Sequence, residues 1–304
     1  MQSEYILRSM MFVPGHNDRL LNSASRSMAD ALILDIEDSV MPAANKIIAR
    51  QKITEYVTAG AFKNFFVFPR VNDRESGHLL KDVYSLTIEG IDGFVYPKSR
   101  TGNDIYFFDK LLETIEAEKG FPFGKFKIVP LIETSGAVVN ALDICQASER
   151  VVAIAFGCED FIADLEGIHD DEGQSLFTPR AMLALAARAA GVIPVDTVHI
   201  NVHDLDDFEE NVILAKKLGF EGNLILHPKE IEIAHRHYTP SKQEIEDASE
   251  MLRLSNEAEK INKGVAVMDG KFIGPPMVIA AKKTLKKVRI IEEIEKRKQE
   301  RSDL

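Results

Sequence analysis

The sequence predicts an α/β chain in which a closed (β/α)₈ TIM barrel over residues 1–238 carries a C-terminal helical extension at 239–304. Three observations predict it. Short apolar runs recur through the first 230 residues, each is followed by a longer segment with helical spacing, and polar residues gather at the ends of the runs.

The runs are MMFVP at 10–14, ALILD at 31–35, FFVFPRV at 65–71, GFVYPK at 93–98, KIVPLIE at 127–133, VAIAFG at 152–157, a weaker DTVHINV at 196–202, and NLILHP at 223–228. They are nearly continuous in apolar residues rather than alternating, as strands buried on both faces are. The amphipathic stretches between them, such as 42–58, 103–119, 178–190 and 204–218, imply right-handed crossovers and a parallel sheet. Eight such units suit a closed barrel.

Polar residues stand at the run ends: Asp35, Glu37 and Asp38, then Arg70, Lys98, Glu133, Glu159 with Asp160, and His227. In a barrel the C-terminal strand ends share one mouth, so these residues converge. Beyond residue 240 the pattern becomes helix-like at 241–262, Gly- and Pro-bearing at 264–276 and helix-like again at 277–288, with a charged end read as a solvated, frayed helix. This extension is expected to fold over its own barrel or a neighbour's.

The 304 residues, 45% hydrophobic and 28% charged, can build a core and exclude disorder. Against 48 Asp and Glu stand 37 Lys and Arg, and the net charge of −11 argues against nucleic acid or an anionic membrane as partner. Cys145 and Cys158 are too few for a disulfide framework and lack zinc-site spacing, which indicates a reducing compartment. Neither a signal-type N-terminus nor an apolar stretch of membrane-spanning length is present, so a soluble cytoplasmic protein is expected.

Glu133 and Asp160, at the ends of runs five and six, form the most informative pair. Two like charges on adjacent strands are costly unless a cation lies between them, and hard oxygen ligands favour Mg²⁺ or Mn²⁺ over zinc. The competing reading makes each a helix cap, since Asp160 precedes FIADL and Glu133 precedes TSGAVVNAL. Arg70, directly after FFVFP, suits two parallel hydrogen bonds to a carboxylate, or a salt bridge to Asp35, Glu37 or Asp38, or both. Three acids in LILDIEDSV need a cation nearby, and any of them could orient metal-bound water or Arg70.

Arg19 and Arg26 lie seven residues apart on the expected helix after VPG, where they would either hold phosphates at the rim or be solvated. His199, His203 and His227 form no zinc signature, and Cys158 is read as a small buried residue.

RSMMFVPG, LILDIEDSV, FPRVN, VYPKS, PLIETSGAV, AFGCEDFIADL, ARAAG at 187–191 and LILHPKEIEI resemble, in order and spacing, the citrate lyase β-subunit-like family of the HpcH/HpaI aldolase superfamily, which includes malyl-CoA and citramalyl-CoA lyases. The resemblance spans roughly residues 6–288. It implies Mg²⁺ dependence and cleavage of a 3-hydroxyacyl-CoA into acetyl-CoA and a 2-oxo acid, pyruvate or glyoxylate. It further implies Glu133 and Asp160 as metal ligands and Arg70 as the clamp on the oxo-acid carboxylate. Arg70, Glu37 and Asp38 make up the catalytic set, with Arg19 and Arg26 near the coenzyme A phosphates. A homo-oligomer, trimer or hexamer, is expected.

One motif departs from the family. Its members carry a C-terminal segment resembling GxxxDxP, whose Asp handles the proton on the acetyl carbon, usually in a neighbouring subunit. Here the segment reads GKFIGPP, with Gly274 at that place and Asp269 five residues earlier. The rival readings are a citrate lyase β subunit acting on a citryl thioester within a complex, an acyl-CoA thioesterase, and a weakly active acyl-CoA-binding homologue.

Overall fold

A computed structural model describes residues 5–168, 173–260, 266–268 and 270–302. The chain divides into two compact units, Met1–Arg236 and His237–Leu304.

The first unit is an α/β barrel. Its strands are β1 (Ser9–Pro14), β2 (Ala31–Asp35), β3 (Phe66–Val67), β4 (Gly93–Tyr96), β5 (Lys127–Ile132), β6 (Ala153–Phe156), β7 (Ile193–Asp196) and β8 (Gly222–Ile225). Around them run α1 (Asp18–Ala24), α2 (Asn45–Thr58), α3 (Leu79–Leu86), α4 (Gly102–Lys119), α5 (Ser135–Val139), α6 (Ala141–Gln146), α7 (Cys158–Leu165), α8 (Gln174–Ala190), α9 (Leu205–Leu218) and α10 (Glu230–Tyr238).

All neighbouring strands pair parallel, in the order β3-β2-β1-β8-β7-β6-β5-β4. The remaining seam, between β3 and β4, is closed through the backbone around Arg70. Arg70 bridges to Asp35 on one side and Val95 on the other, and the Val95 amide donates to the Pro69 carbonyl at 2.9 Å. Pro69 interrupts the third run because it has no N–H to give the ladder, which shortens β3 to two residues.

The seventh run is corrected. The strand lies at Ile193–Asp196, ahead of the 196–202 segment read from the sequence. Pro194 masks it, although this proline serves through its carbonyl, which accepts from the Glu221 amide.

Side chains alternate across each strand, and one set fills the barrel: Met10, Ile33, Phe68, Val129, Leu131, Ala155, Val195 and Leu224 belong to one buried cluster, with Phe12 packed against it. The other set faces the helices, as where Tyr96 stacks on Phe108 of α4 at 4.3 Å. At the N-terminal end of the barrel Arg8 and Asp30 form a buried two-pronged pair, with contacts of 2.8 and 2.9 Å. Gly222 permits β8 to approach there, since a Cβ would lie 1.7 Å from the Leu7 carbonyl oxygen.

The second unit holds α11 (Lys242–Lys260), an antiparallel hairpin of β9 (Ala266–Met268) and β10 (Lys271–Ile273), and α12 (Pro275–Ser302). The helix-like 277–288 therefore continues through the charged end, whose Glu, Lys, Arg and Gln residues are good helix formers. Gly274 stands just before α12. Asp269 lies outside the described residues.

Candidate active site

The polar residues of the mouth follow from strand parity. Asp35, Arg70 and Glu133 stand two residues beyond Ile33, Phe68 and Leu131, so the same alternation turns them inward, above the apolar cluster. All three line a cavity of about 610 Å³ that also takes in Asp38, Glu159 and Asp160.

Arg70 is buried and heavily paired. Its Nε and Nη2 donate to the two oxygens of Asp35 at 2.7 and 2.8 Å, Nη1 donates to Asp38 at 3.3 Å, and Nη1 stands 3.0 Å from Glu37. The salt-bridge reading of Arg70 is thus realised, with all three acids at and just after the end of β2 around a guanidinium that also lines the cavity. Burial opposes ionisation of Asp35, but the Arg70 charge and hydrogen bonds from Arg70, Ser39 and the Glu37 amide outweigh it and hold the carboxyl below its ordinary range.

Glu133 is 2% exposed, and its Oε2 accepts from the Lys98 amide at 2.7 Å. Burial and the neighbouring Glu37 push its carboxyl up to about 8, with Asp160 adding to the effect. Glu133 is not a helix cap, because Thr134 fills that place on α5 and accepts from the Ala137 amide. Asp160 lies exposed in the first turn of α7, near Glu133 and facing the same cavity.

Glu37 is buried behind Arg70 and does not line the cavity. Lys98 Nζ stands 3.1 Å away, yet neither Glu37 oxygen accepts a hydrogen bond. Burial, working against Arg70 and Lys98, pushes its carboxyl up to about 7. Its loop is tied down from below: buried Lys46 donates to the Ile36 and Glu37 carbonyls at 3.0 and 2.9 Å and to Asn72, which in turn meets the Asp82–Arg50 pair.

Arg19 and Arg26 are exposed and do not line the cavity, to which α1 contributes Leu20, Ser23 and Ala24. Their expected common helix face is corrected, because α1 ends at Ala24 and Ser25 caps it, leaving Arg26 in the following turn. Cys158 is buried and free, and burial raises its thiol to about 12, as expected of an inert residue. Three contributors escape sequence reading: the Lys98 amide, Ser39 and Gly157. Only the small residue directly before CEDF signals the last of them.

The donor set fits a hard divalent cation. A buried carboxylate of raised affinity for protons, with Asp160 as a second acid on the same cavity, is compensated by such an ion. Among the described residues no three His, Cys, Asp or Glu side chains converge on one point, so most of the coordination shell falls to water and substrate oxygens.

Eight parallel strands with acids gathered around a buried arginine at the mouth define an α/β-barrel protein, and sequence comparison places it. Residues 8–228 match the HpcH/HpaI aldolase/citrate lyase family, and the chain belongs to it. The citrate lyase subunit beta of Leuconostoc mesenteroides subsp. cremoris is 32% identical over 286 residues, covering 94% of each protein. A (3S)-malyl-CoA thioesterase of Cereibacter sphaeroides is 28% identical, covering 93% of this chain and 95% of that one. Among solved structures, a citrate lyase from Burkholderia xenovorans superposes with a TM-score of 0.83 at 17% identity, over 96% of this chain and 94% of its own. CitE of Mycobacterium tuberculosis, solved with magnesium, acetoacetate and coenzyme A, gives 0.72 at 23% identity, over 94% and 99%. No helix among the described residues is long and apolar enough to cross a membrane.

Proposed function

We propose that the protein is a Mg²⁺-dependent carbon–carbon lyase that cleaves a 3-hydroxyacyl-CoA, citramalyl-CoA or malyl-CoA, into acetyl-CoA and a 2-oxo acid, pyruvate or glyoxylate. The observation that carries this reading is the inward layer of Asp35, Arg70 and Glu133 over one cavity, which offers a carboxylate clamp beside a cation site. Glu133 and Asp160 would hold Mg²⁺. When bound, the ion acts as a Lewis acid on the hydroxyl that becomes the ketone.

Arg70 binds the carboxylate next to that hydroxyl, with Asp35 fixing the guanidinium plane. Asp38, which lines the cavity and is 55% exposed at its side chain, is assigned the hydroxyl proton. Glu37 acts from behind, through Arg70 and Lys98. Gly274 has no side chain to carry a proton to the acetyl carbon, and water is assigned that role ahead of Glu37 and Asp269. Arg19 and Arg26 are assigned to the coenzyme A phosphates, and a homo-oligomer, trimer or hexamer, is expected by light scattering.

The test offers citramalyl-CoA, malyl-CoA and citryl-CoA in parallel, with and without Mg²⁺, and follows acetyl-CoA release. Metal-dependent release from one of the first two, lost in Glu133→Ala, supports the reading. Release of free coenzyme A alone identifies a thioesterase, as the Cereibacter relative is named. Activity only with partner subunits on a citryl thioester identifies a citrate lyase β subunit.

A further inference from the structure

Helix α7 brings Glu159 and Asp160 to the cavity, yet it begins without a side-chain cap of its own. The first amides of a helix have no partner within it, and a serine, threonine, asparagine or aspartate just ahead of the helix ordinarily accepts from one of them. Gly157 occupies that place and has no side chain to offer. Nor can it be given one, because a Cβ there would lie 2.6 Å from Glu133 Cγ.

The missing acceptor comes from the end of the neighbouring strand. Thr197, the residue after β7, presents its hydroxyl oxygen to the Cys158 amide at 3.2 Å, so the first amide of α7 is capped by a residue 39 positions further along the chain. Thr197 is itself held in place. Buried Asn223 of β8 donates from Nδ2 to the Thr197 carbonyl at 3.0 Å, and Asp196, next to it in the chain, accepts two hydrogen bonds from Arg180 at 3.1 and 2.5 Å. Further along α7 there is a second tie, where Asp164 accepts from the Ser135 amide at 2.7 Å.

Asp160 sits in the first turn of α7, exposed, and makes no hydrogen bond or ion pair among the described residues. Its carboxylate is therefore located by the backbone that carries it. We infer that Thr197 is a positioning residue for the cation site: its hydroxyl fixes the first turn of α7 and, through it, the place of Asp160 beside Glu133. This rests on the reading of Glu133 and Asp160 as the residues that hold Mg²⁺. A group that orients a metal ligand from behind in this way typically changes metal affinity by about tenfold or more.

The test is calorimetric titration of Mg²⁺ into the full-length protein and its variants, each checked for its fold by circular dichroism. Thr197→Val keeps the shape of the side chain and removes the hydroxyl; it is expected to keep the fold and to bind Mg²⁺ about tenfold more weakly, and Thr197→Ala to do the same. Thr197→Ser retains the hydroxyl and is expected to restore the affinity. Thr101→Val breaks the capping box of α4, which lends no residue to the cavity, and is expected to bind Mg²⁺ as the parent does. Parent affinity in Thr197→Val and Thr197→Ala, a loss that Thr197→Ser does not restore, or an equal loss in Thr101→Val overturns the inference. Asp160→Asn separates it from the reading beneath. If Asp160→Asn loses affinity while Thr197→Val keeps it, the inference alone fails; if Asp160→Asn binds as the parent does, or the parent binds no Mg²⁺, the metal-site reading fails and takes the inference with it.

Discussion

The backbone amide of Lys98 donates to Glu133 Oε2 at 2.7 Å, and it does so from a left-handed conformation, with φ of 52°. A non-glycine residue in that region costs about 1 kcal/mol, a cost borne here by the residue that also brings its ammonium to Glu37. One strained residue thus holds two carboxylates, one through its main chain and one through its side chain. Lys98→Gly separates the two roles. It is expected to fold with stability equal to the parent or up to about 1 kcal/mol higher, to keep Mg²⁺ affinity through the retained amide, and to lose about tenfold or more in kcat. Thermal unfolding, metal titration and kinetics check it, and parallel loss of stability and metal affinity would sink the argument.

Gly157 is defined by what stands beside it. A Cβ there would lie 2.6 Å from Glu133 Cγ, so Gly157→Ala drives the glutamate side chain aside. Mg²⁺ affinity is expected to fall on the order of tenfold with the fold retained. Gly136→Ala, where nothing lies within 4 Å of the added methyl, is the matched control and is expected to bind Mg²⁺ normally. Equal affinities in the two variants would remove Glu133 from the metal site.

Asp35 is wholly buried and gives both oxygens to Arg70. Replacing one partner of such a pair leaves the other charge underpaired in a poorly solvated place, which costs more than the pair itself contributes. Asp35→Asn is expected to destabilise the protein by about 3 kcal/mol in urea unfolding and to weaken binding of the oxo acid through a loosened Arg70. Full stability in this variant would show that Glu37 and Asp38 suffice to hold the arginine.

Much of the barrel was legible because buried parallel strands write themselves as unbroken apolar runs, and seven of the eight runs cover their strands or most of them while the seventh meets its strand only at Asp196. The exceptions trace to proline. Pro194 hid β7, and Pro69 cut β3 to two residues while its carbonyl helped close the seam. Period-two alternation explains why Asp35, Arg70 and Glu133 share one layer, and all three were visible at run ends. What could not be read was conformation that composition does not encode: the left-handed turn at Lys98, the empty space Gly157 leaves for Glu133, and the end of α1 that parts Arg26 from Arg19.

Glu230 ties the loop after β8 to α10: its Oε2 accepts from the Leu226 and His227 amides at 3.0 and 3.2 Å, while Oε1 is buried with no hydrogen-bond partner. Burial outweighs those two amides and raises the carboxyl from an ordinary 4.5 to about 7. The native state therefore binds this proton more tightly than the unfolded chain does. Its stabilising effect is fully present below pH 4.5 and is lost as the pH climbs through about 7, after which it changes no further. Glu230→Gln has no such proton to lose, so its stability relative to the parent is expected to rise across that window and to level off above it. Urea unfolding of both proteins at intervals from pH 5 to about 8 measures the difference. A difference that stays constant, or that falls with rising pH, would mean that Glu230 is ionised within the fold and that Oε1 has found a donor.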